Sequence, residues 1–137
     1  LLAAALDASA ADPRRFAERL PGLFAGIGRY LCERPAYREL VSEMLHLSIE
    51  PDTATSRRGG LGRAVQRLVA DAVRRGEVGR RHAPEVLGDL LLGATTTALT
   101  NWCADPAYDL ERELARTADA LLDLLAPAPA HPARPPR

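Results

Sequence analysis

The chain of 137 residues has the length of one domain, enough to bury a substantial core. Apolar residues make up 47% of it, and its 18 basic and 18 acidic side chains cancel, so its net charge does not indicate a nucleic acid or an anionic membrane as a partner. Every one of the 18 basic residues is arginine, which excludes the lysine of P-loop, Schiff-base and kinase sites.

No apolar run approaches the roughly 20 residues of a membrane span, so we expect no membrane partner. No signal peptide opens the chain, and the cytoplasm is the expected compartment. The sequence starts at Leu1 inside an apolar run without an initiator methionine, which suggests a fragment or a trimmed protein.

The first half of the chain shows the three-and-four spacing of amphipathic helices. Residues 1–10 resemble the end of a helix. Asp12 and Pro13 are an N-cap and a first-turn signal for a helix that continues to about Glu33. Another helix is predicted from Pro35, and its inner side carries Tyr37, Leu40, Val41, Met44 and Leu45.

Residues 50–60 are rich in turn formers and predict a loop. A helix follows from about Leu61 to Gly76, and the next is predicted from Pro84 to near Cys103. Asp109 is expected to cap the last helix. The sequence therefore predicts an all-α bundle of about six helices in one domain, residues 1–126, followed by a proline-rich tail without a core, residues 127–137.

The stretch LLLGATTTALTNW, residues 90–102, is free of charge nearly all round the helical wheel. A helix of this kind is buried on more than one side, and its small residues allow close approach of another helix. We therefore predict that the last two helices pair with their copies in a two-fold, four-helix interface. The predicted interface residues are Val86, Leu90, Ala94, Thr97, Leu110, Leu114, Leu121 and Leu125.

The threonine hydroxyls of this stretch need partners. Each either bonds to the carbonyl one turn earlier or, in the case of Thr95, faces a cavity and a small molecule. A pocket between the middle helices and the helix carrying Trp102 would take an apolar or weakly polar effector, because little charge is buried there. Each candidate lining residue is otherwise plain core: Phe24, Ile27, Tyr30, Met44, Leu68, Leu91, Thr95 and Trp102.

Four segments occur in the order and with the loops of one known family. They are ERPAYRELVSEMLH, LVADAVRRGEVGRR, the helix ending in ALTNW, and DLERELARTADALLDLL. Together they resemble the C-terminal domain of TetR-family transcriptional regulators, and the likeness extends over almost the whole chain up to the proline tail.

The resemblance implies a homodimer whose C-terminal domain binds a small effector and dimerises through its last two helices. In that family an N-terminal helix-turn-helix binds operator DNA. Effector binding changes the relative populations of two dimer geometries. The helix-turn-helix is not among these 137 residues, so we expect operator binding, as a repressor, only through a domain missing from this chain.

Two other functional classes have weaker support. One is a module that lacks a helix-turn-helix, pairs with a full-length relative and removes it from DNA. A small metal protein or enzyme would need more than the single E-x-x-H of Glu43 and His46, since a di-iron site uses two such motifs. No nucleophile has a recognisable base partner, so we expect no enzymatic activity and no cofactor.

Overall fold

The computed structural model describes residues 12–47 and 60–127, and within these ranges every regular element is an α-helix. The all-α prediction is confirmed. The helix predicted at residues 1–10, the loop at 50–59 and the tail beyond Pro127 lie outside the described residues. The five helices are α1 (Phe16–Cys32), α2 (Tyr37–Leu47), α3 (Gly60–Arg74), α4 (Pro84–Ala104) and α5 (Leu110–Leu125).

The helices enclose one hydrophobic core. α5 packs along α1 in the most extensive pairing of the bundle, while α4 contacts α2, α3 and α5. Core side chains come from all five helices, for example Leu20, Val41, Leu68, Leu91 and Leu114. α4 thus links α2 and α3 to α5. None of the helices that the structure describes is long and apolar enough to cross a membrane.

The N-terminal starts of α4 and α5 lie where the sequence predicted them. Pro84 occupies the first turn of α4, where its missing N–H costs nothing. The Asp109 side chain accepts a hydrogen bond from the Arg112 backbone N–H at 3.1 Å and caps α5. Both helices therefore begin where local chemistry predicts.

The start of α1 differs from the prediction. Asp12 does not cap the helix, because its carboxylate binds the backbone N–H of Arg14 at 2.9 Å and the guanidinium of the same residue at 2.6 Å. The helix begins at Phe16, and its first N–H donates to Glu77 Oε2 at 2.8 Å. A carboxylate 61 residues further along the chain thus replaces the local cap.

Glu77 belongs to a group of charges that we call the α1–α3 ion cluster: Arg19, Asp71, Arg75 and Glu77. Arg19 is only 1% exposed and pairs with Asp71 at 3.4 Å and with Glu77 at 3.3 Å. Arg75 binds Glu77 at 3.3 Å and donates to the Pro13 carbonyl at 2.7 Å. The cluster ties the segment entering α1 to the end of α3.

Candidate functional site

One end of the bundle is built around Trp102, in the last turns of α4. The indole is buried, and the guanidinium carbon of Arg38 in α2 lies 4.8 Å from its ring centroid, a cation–π distance. The Cys103 thiol lies 3.5 Å from the Arg38 carbonyl oxygen, to which it donates. These contacts hold α2 against the end of α4.

Two tyrosines extend this end of the molecule across the turn between α1 and α2. The rings of Tyr30 and Tyr37 stack with centroids 5.6 Å apart, and the Tyr30 hydroxyl donates to that of Tyr37 at 3.3 Å. This hydrogen bond raises the pKa of Tyr30. The Arg34 guanidinium carbon lies 4.0 Å from the Tyr30 ring centroid. We call Tyr30, Tyr37 and Trp102 the aromatic end. It combines apolar surface with phenol and guanidinium donors.

The eight predicted effector residues occupy different environments. Most belong to the core or pack against it, whereas Met44 does not face inward as predicted. Met44 is 55% exposed, and Leu40, which was also predicted on the inner side, is 51% exposed, because α2 turns Val41 and Leu45 towards the core. The buried members are Phe24, Ile27, Leu68, Leu91 and Trp102, and the half-buried ones are Tyr30 and Thr95. An effector pocket lined by this group stays a prediction.

Three threonines of α4 donate their hydroxyl hydrogens to backbone carbonyls of the same helix. Thr95 donates to the Leu91 carbonyl at 2.8 Å, and Thr97 donates to the Gly93 carbonyl at 2.9 Å. Thr100 does the same to Thr96 at 2.9 Å. Of the two alternatives for Thr95, this geometry matches the local bond to the preceding turn. The hydroxyls of Thr95, Thr97 and Thr100 are therefore satisfied without a ligand.

One side of α4 is uncharged and faces away from the core. Val86, Leu90, Gly93 and Thr97 recur at helical spacing there, and Leu90 is 53% exposed. A methyl group built on Gly93 would meet no atom within 4 Å. We call these four residues the α4 outer face. Ala94, also predicted in the dimer interface, lies half-buried beside it.

The α5 residues predicted for the dimer interface lie elsewhere. Leu110, Leu114, Leu121 and Leu125 are buried in the core of their own chain, where α5 packs against α1 and α4. A side chain that its own subunit already covers offers little surface to a second copy. Leu124 of α5 is 78% exposed, and which residues form an interface stays a prediction.

Comparison with known families identifies the family of the chain. The family model of the MftR C-terminal domain, one of the TetR C-terminal domain families, matches residues 56–126, more than half of the chain. The chain belongs to the TetR-family C-terminal domains. No curated protein and no solved structure matches it.

The matched range of this TetR-family domain contains α3, α4 and α5 entirely. It includes Trp102 and the α4 outer face, whereas Tyr30, Tyr37 and Arg38 precede it. Sequence reasoning placed Tyr37 on the inner side of its helix but not among the effector residues, and it did not single out Arg34 or Arg38. The seven-residue spacing of Tyr30 and Tyr37 was the available signal, but their stacking depends on the turn between two helices.

The alternative of a metal protein has no structural support in residues 12–47 and 60–127. No group of three His, Cys, Asp or Glu side chains is placed there to hold a metal ion. Glu43 and His46 are exposed on α2. Membership of a regulator family favours a regulatory over a catalytic role for this TetR-family domain.

A cavity of about 390 Å³ lies far from the aromatic end. It is formed by the loop before α4, the first turns of α4 and the end of α5, and includes Leu87 in its lining. Leu87 and Trp102 are separated by about 22 Å along the axis of α4. The aromatic end and this cavity are therefore distinct places in the TetR-family domain.

Proposed function

We propose that this TetR-family domain senses a small apolar or weakly polar effector as a homodimer, and that effector binding controls the operator affinity of a repressor's helix-turn-helix. The observation that carries the proposal is the family match over α3, α4 and α5, the helices that bear both Trp102 and the α4 outer face.

The α4 outer face supports the dimer. Val86 and Leu90 are large apolar side chains left about half exposed on a strip without charge. Gly93 lies on the same strip with open space above it, so a second helix can approach closely. A self-complementary contact through a two-fold axis covers such a strip with its own copy.

The aromatic end supports the effector site. Ligand pockets combine apolar and aromatic walls with a few placed polar groups, and the Tyr30–Tyr37 hydroxyl pair and the Arg38 guanidinium are such groups. No ion pair of Arg38 is observed among the described residues, and its guanidinium group lies over the indole face. A weakly polar molecule with an aromatic or apolar body suits this chemistry.

Native mass spectrometry combined with Trp102 fluorescence tests the proposal. Trp102 is the only tryptophan, so the emission of the protein reports on the aromatic end. We expect the protein as purified to be a dimer that carries a small molecule, and we expect refolding from urea to remove both the added mass and part of the emission signal. Adding the released molecule back should restore the emission. A monomer, or identical mass and emission before and after refolding together with no response to a panel of apolar compounds, would contradict the proposal.

A further inference from the structure

The lining of the cavity of about 390 Å³ combines charged and apolar side chains. Arg80, Arg81 and His82 come from the loop before α4. Leu87 of α4 and Leu124 of α5 are apolar members of the lining. We call this cavity the Arg80 cleft. Its volume lies within the range of small-molecule sites in proteins, which is roughly 300–1,000 Å³.

The walls of the Arg80 cleft are fixed by the backbone. The Gly79 N–H donates to the Leu125 carbonyl at 2.9 Å, which fastens the loop to the end of α5. A methyl group at Gly79 would lie 3.2 Å from the Ala126 carbonyl oxygen, so the two segments are in close contact. Leu87 and Leu125 are buried and make a firm apolar floor. The cleft is therefore formed without a ligand.

The charge in the cleft is positive. Arg80, Arg81 and His82 are exposed, and Asp123 is the one acidic residue of the lining. Within residues 12–47 and 60–127, neither Arg80 nor Arg81 makes an ion pair, in contrast to Arg14, Arg75 and Arg116. Two guanidinium groups that make no ion pair among the described residues thus border apolar side chains of the cleft.

We propose that the Arg80 cleft binds a small organic anion, a carboxylate with a short apolar chain, as a site separate from the aromatic end. The guanidinium groups would bind the carboxylate through charge-assisted hydrogen bonds, and the chain would cover Leu87 and Leu124. The inference rests on the cleft alone and does not depend on the proposed sensing of an effector near Trp102.

Hexanoate is the probe for the test, with hexylamine, hexanol and inorganic phosphate as comparisons. Binding is followed by the NMR shifts of ¹⁵N-labelled backbone amides during titration. We expect hexanoate at millimolar concentration to shift the amides of Gly79, Leu87 and Leu125 saturably. Hexylamine has the wrong charge, hexanol no charge and phosphate no chain, so each should bind at least about tenfold more weakly.

A charge-matched pair of variants separates the cleft from general electrostatics. The double substitution Arg80→Gln with Arg81→Gln should weaken hexanoate binding at least about tenfold, through loss of the charge-assisted bonds. Arg112→Gln with Arg116→Gln removes the same charge from exposed positions nearer the start of α5 and should leave binding unchanged.

Three results would overturn the proposal: no saturable shift at the three amides, equal binding of hexanoate and any of the comparison compounds, or equal weakening by the two double variants. Thermal unfolding followed by circular dichroism checks that both variants remain folded. The Trp102 emission distinguishes this site from the proposed effector site, because hexanoate in the Arg80 cleft should leave it unchanged.

Discussion

Arg19 is the charged side chain whose surroundings matter most for the stability of the fold. It is buried, and such a charge is tolerated only with well-placed partners, because removing it from water costs several kcal/mol. Asp71 and Glu77 provide these partners while remaining partly open to solvent. Glu77 also accepts from the first N–H of α1, so one carboxylate satisfies both a buried cation and a helix end.

Replacing Glu77 by glutamine tests this double role. In Glu77→Gln the side chain can still accept from the Phe16 N–H, but Arg19 loses the charge of Glu77 while it keeps that of Asp71. We expect the free energy of unfolding to fall by about 2 kcal/mol, since a buried charge loses part of its compensation. Urea denaturation followed by circular dichroism measures it. The control Glu43→Gln lies on an exposed part of α2 and should change stability by less than about 0.5 kcal/mol. Equal effects of the two would argue against a special role for Glu77.

The carboxylate of Asp12 gives a prediction about pH. Hydrogen bonds from the Arg14 side chain and backbone hold the pKa of Asp12 at about 2, below its ordinary value of 3.8. A lowered pKa means that folding favours the charged form. The resulting local stabilisation is therefore complete above pH 3.8 and is lost as the pH falls towards 2. NMR titration of the Asp12 carboxyl carbon should show that Arg14→Gln moves this pKa back towards 3.8. An unchanged pKa in that variant would exclude Arg14 as the cause.

At the scale of elements, the α1–α5 crossing depends on a glycine. A methyl group on Gly28 would lie 3.1 Å from Glu111 Cγ and 3.2 Å from its Cα, closer than ordinary contact. Since one of these atoms belongs to the backbone of α5, the helix itself would have to move. Gly26, two residues earlier in α1, has no atom within 4 Å of the same position.

The two glycines form a matched pair for substitution. Gly26→Ala should raise the free energy of unfolding by about 1 kcal/mol, because alanine has the higher helix propensity. In Gly28→Ala the same gain is offset by overpacking of about 1–3 kcal/mol, so we expect net destabilisation. Chemical denaturation should show the two variants differing by about 2 kcal/mol. Similar stabilisation by both would mean that α1 and α5 are not so close in solution.

The helix boundaries show which elements can be predicted from sequence. The N-terminal starts of α4 and α5 are marked by local signals: Pro84 lies in the first turn of α4, and Asp109 caps α5. Both predicted starts are confirmed. The start of α1 was predicted wrongly, because its capping group is Glu77 and sequence spacing contains no information about that contact. Local signals thus set helix ends only where the partner is local.

At the scale of the whole molecule, periodicity predicted which helix faces are apolar but not what covers them. Leu114 and Leu121 lie on such a face and are covered by their own chain, whereas Leu90 of the other predicted helix remains half exposed. The apolar residues of a helix recur at the same sequence spacing whether they pack on a neighbouring helix of the same chain or on a second subunit. Similarly, sequence reasoning placed Met44 inward on α2, although it is more than half exposed.

The dimer prediction belongs to this scale and is tested at Leu90. In Leu90→Glu a charge enters the centre of the α4 outer face, where an unpaired charge would be buried by a second copy. We expect the dimer dissociation constant to rise more than tenfold while the subunit remains folded, as measured by analytical ultracentrifugation. Ala115→Glu places the same charge on an exposed side of α5 and serves as the control. A Leu90→Glu variant that dimerises as tightly as the control would exclude this face.

The internal hydrogen bonds of the α4 threonines affect how two copies could move. Because Thr97 and Thr100 donate to carbonyls of their own helix, their methyl groups are what they offer to a neighbouring surface. Contacts between methyl groups and aliphatic side chains have little directional preference, unlike hydrogen bonds. One subunit could then rotate slightly on the other without breaking any bond of these hydroxyls. In the proposed dimer, such a contact would allow the two subunits to adopt more than one relative orientation.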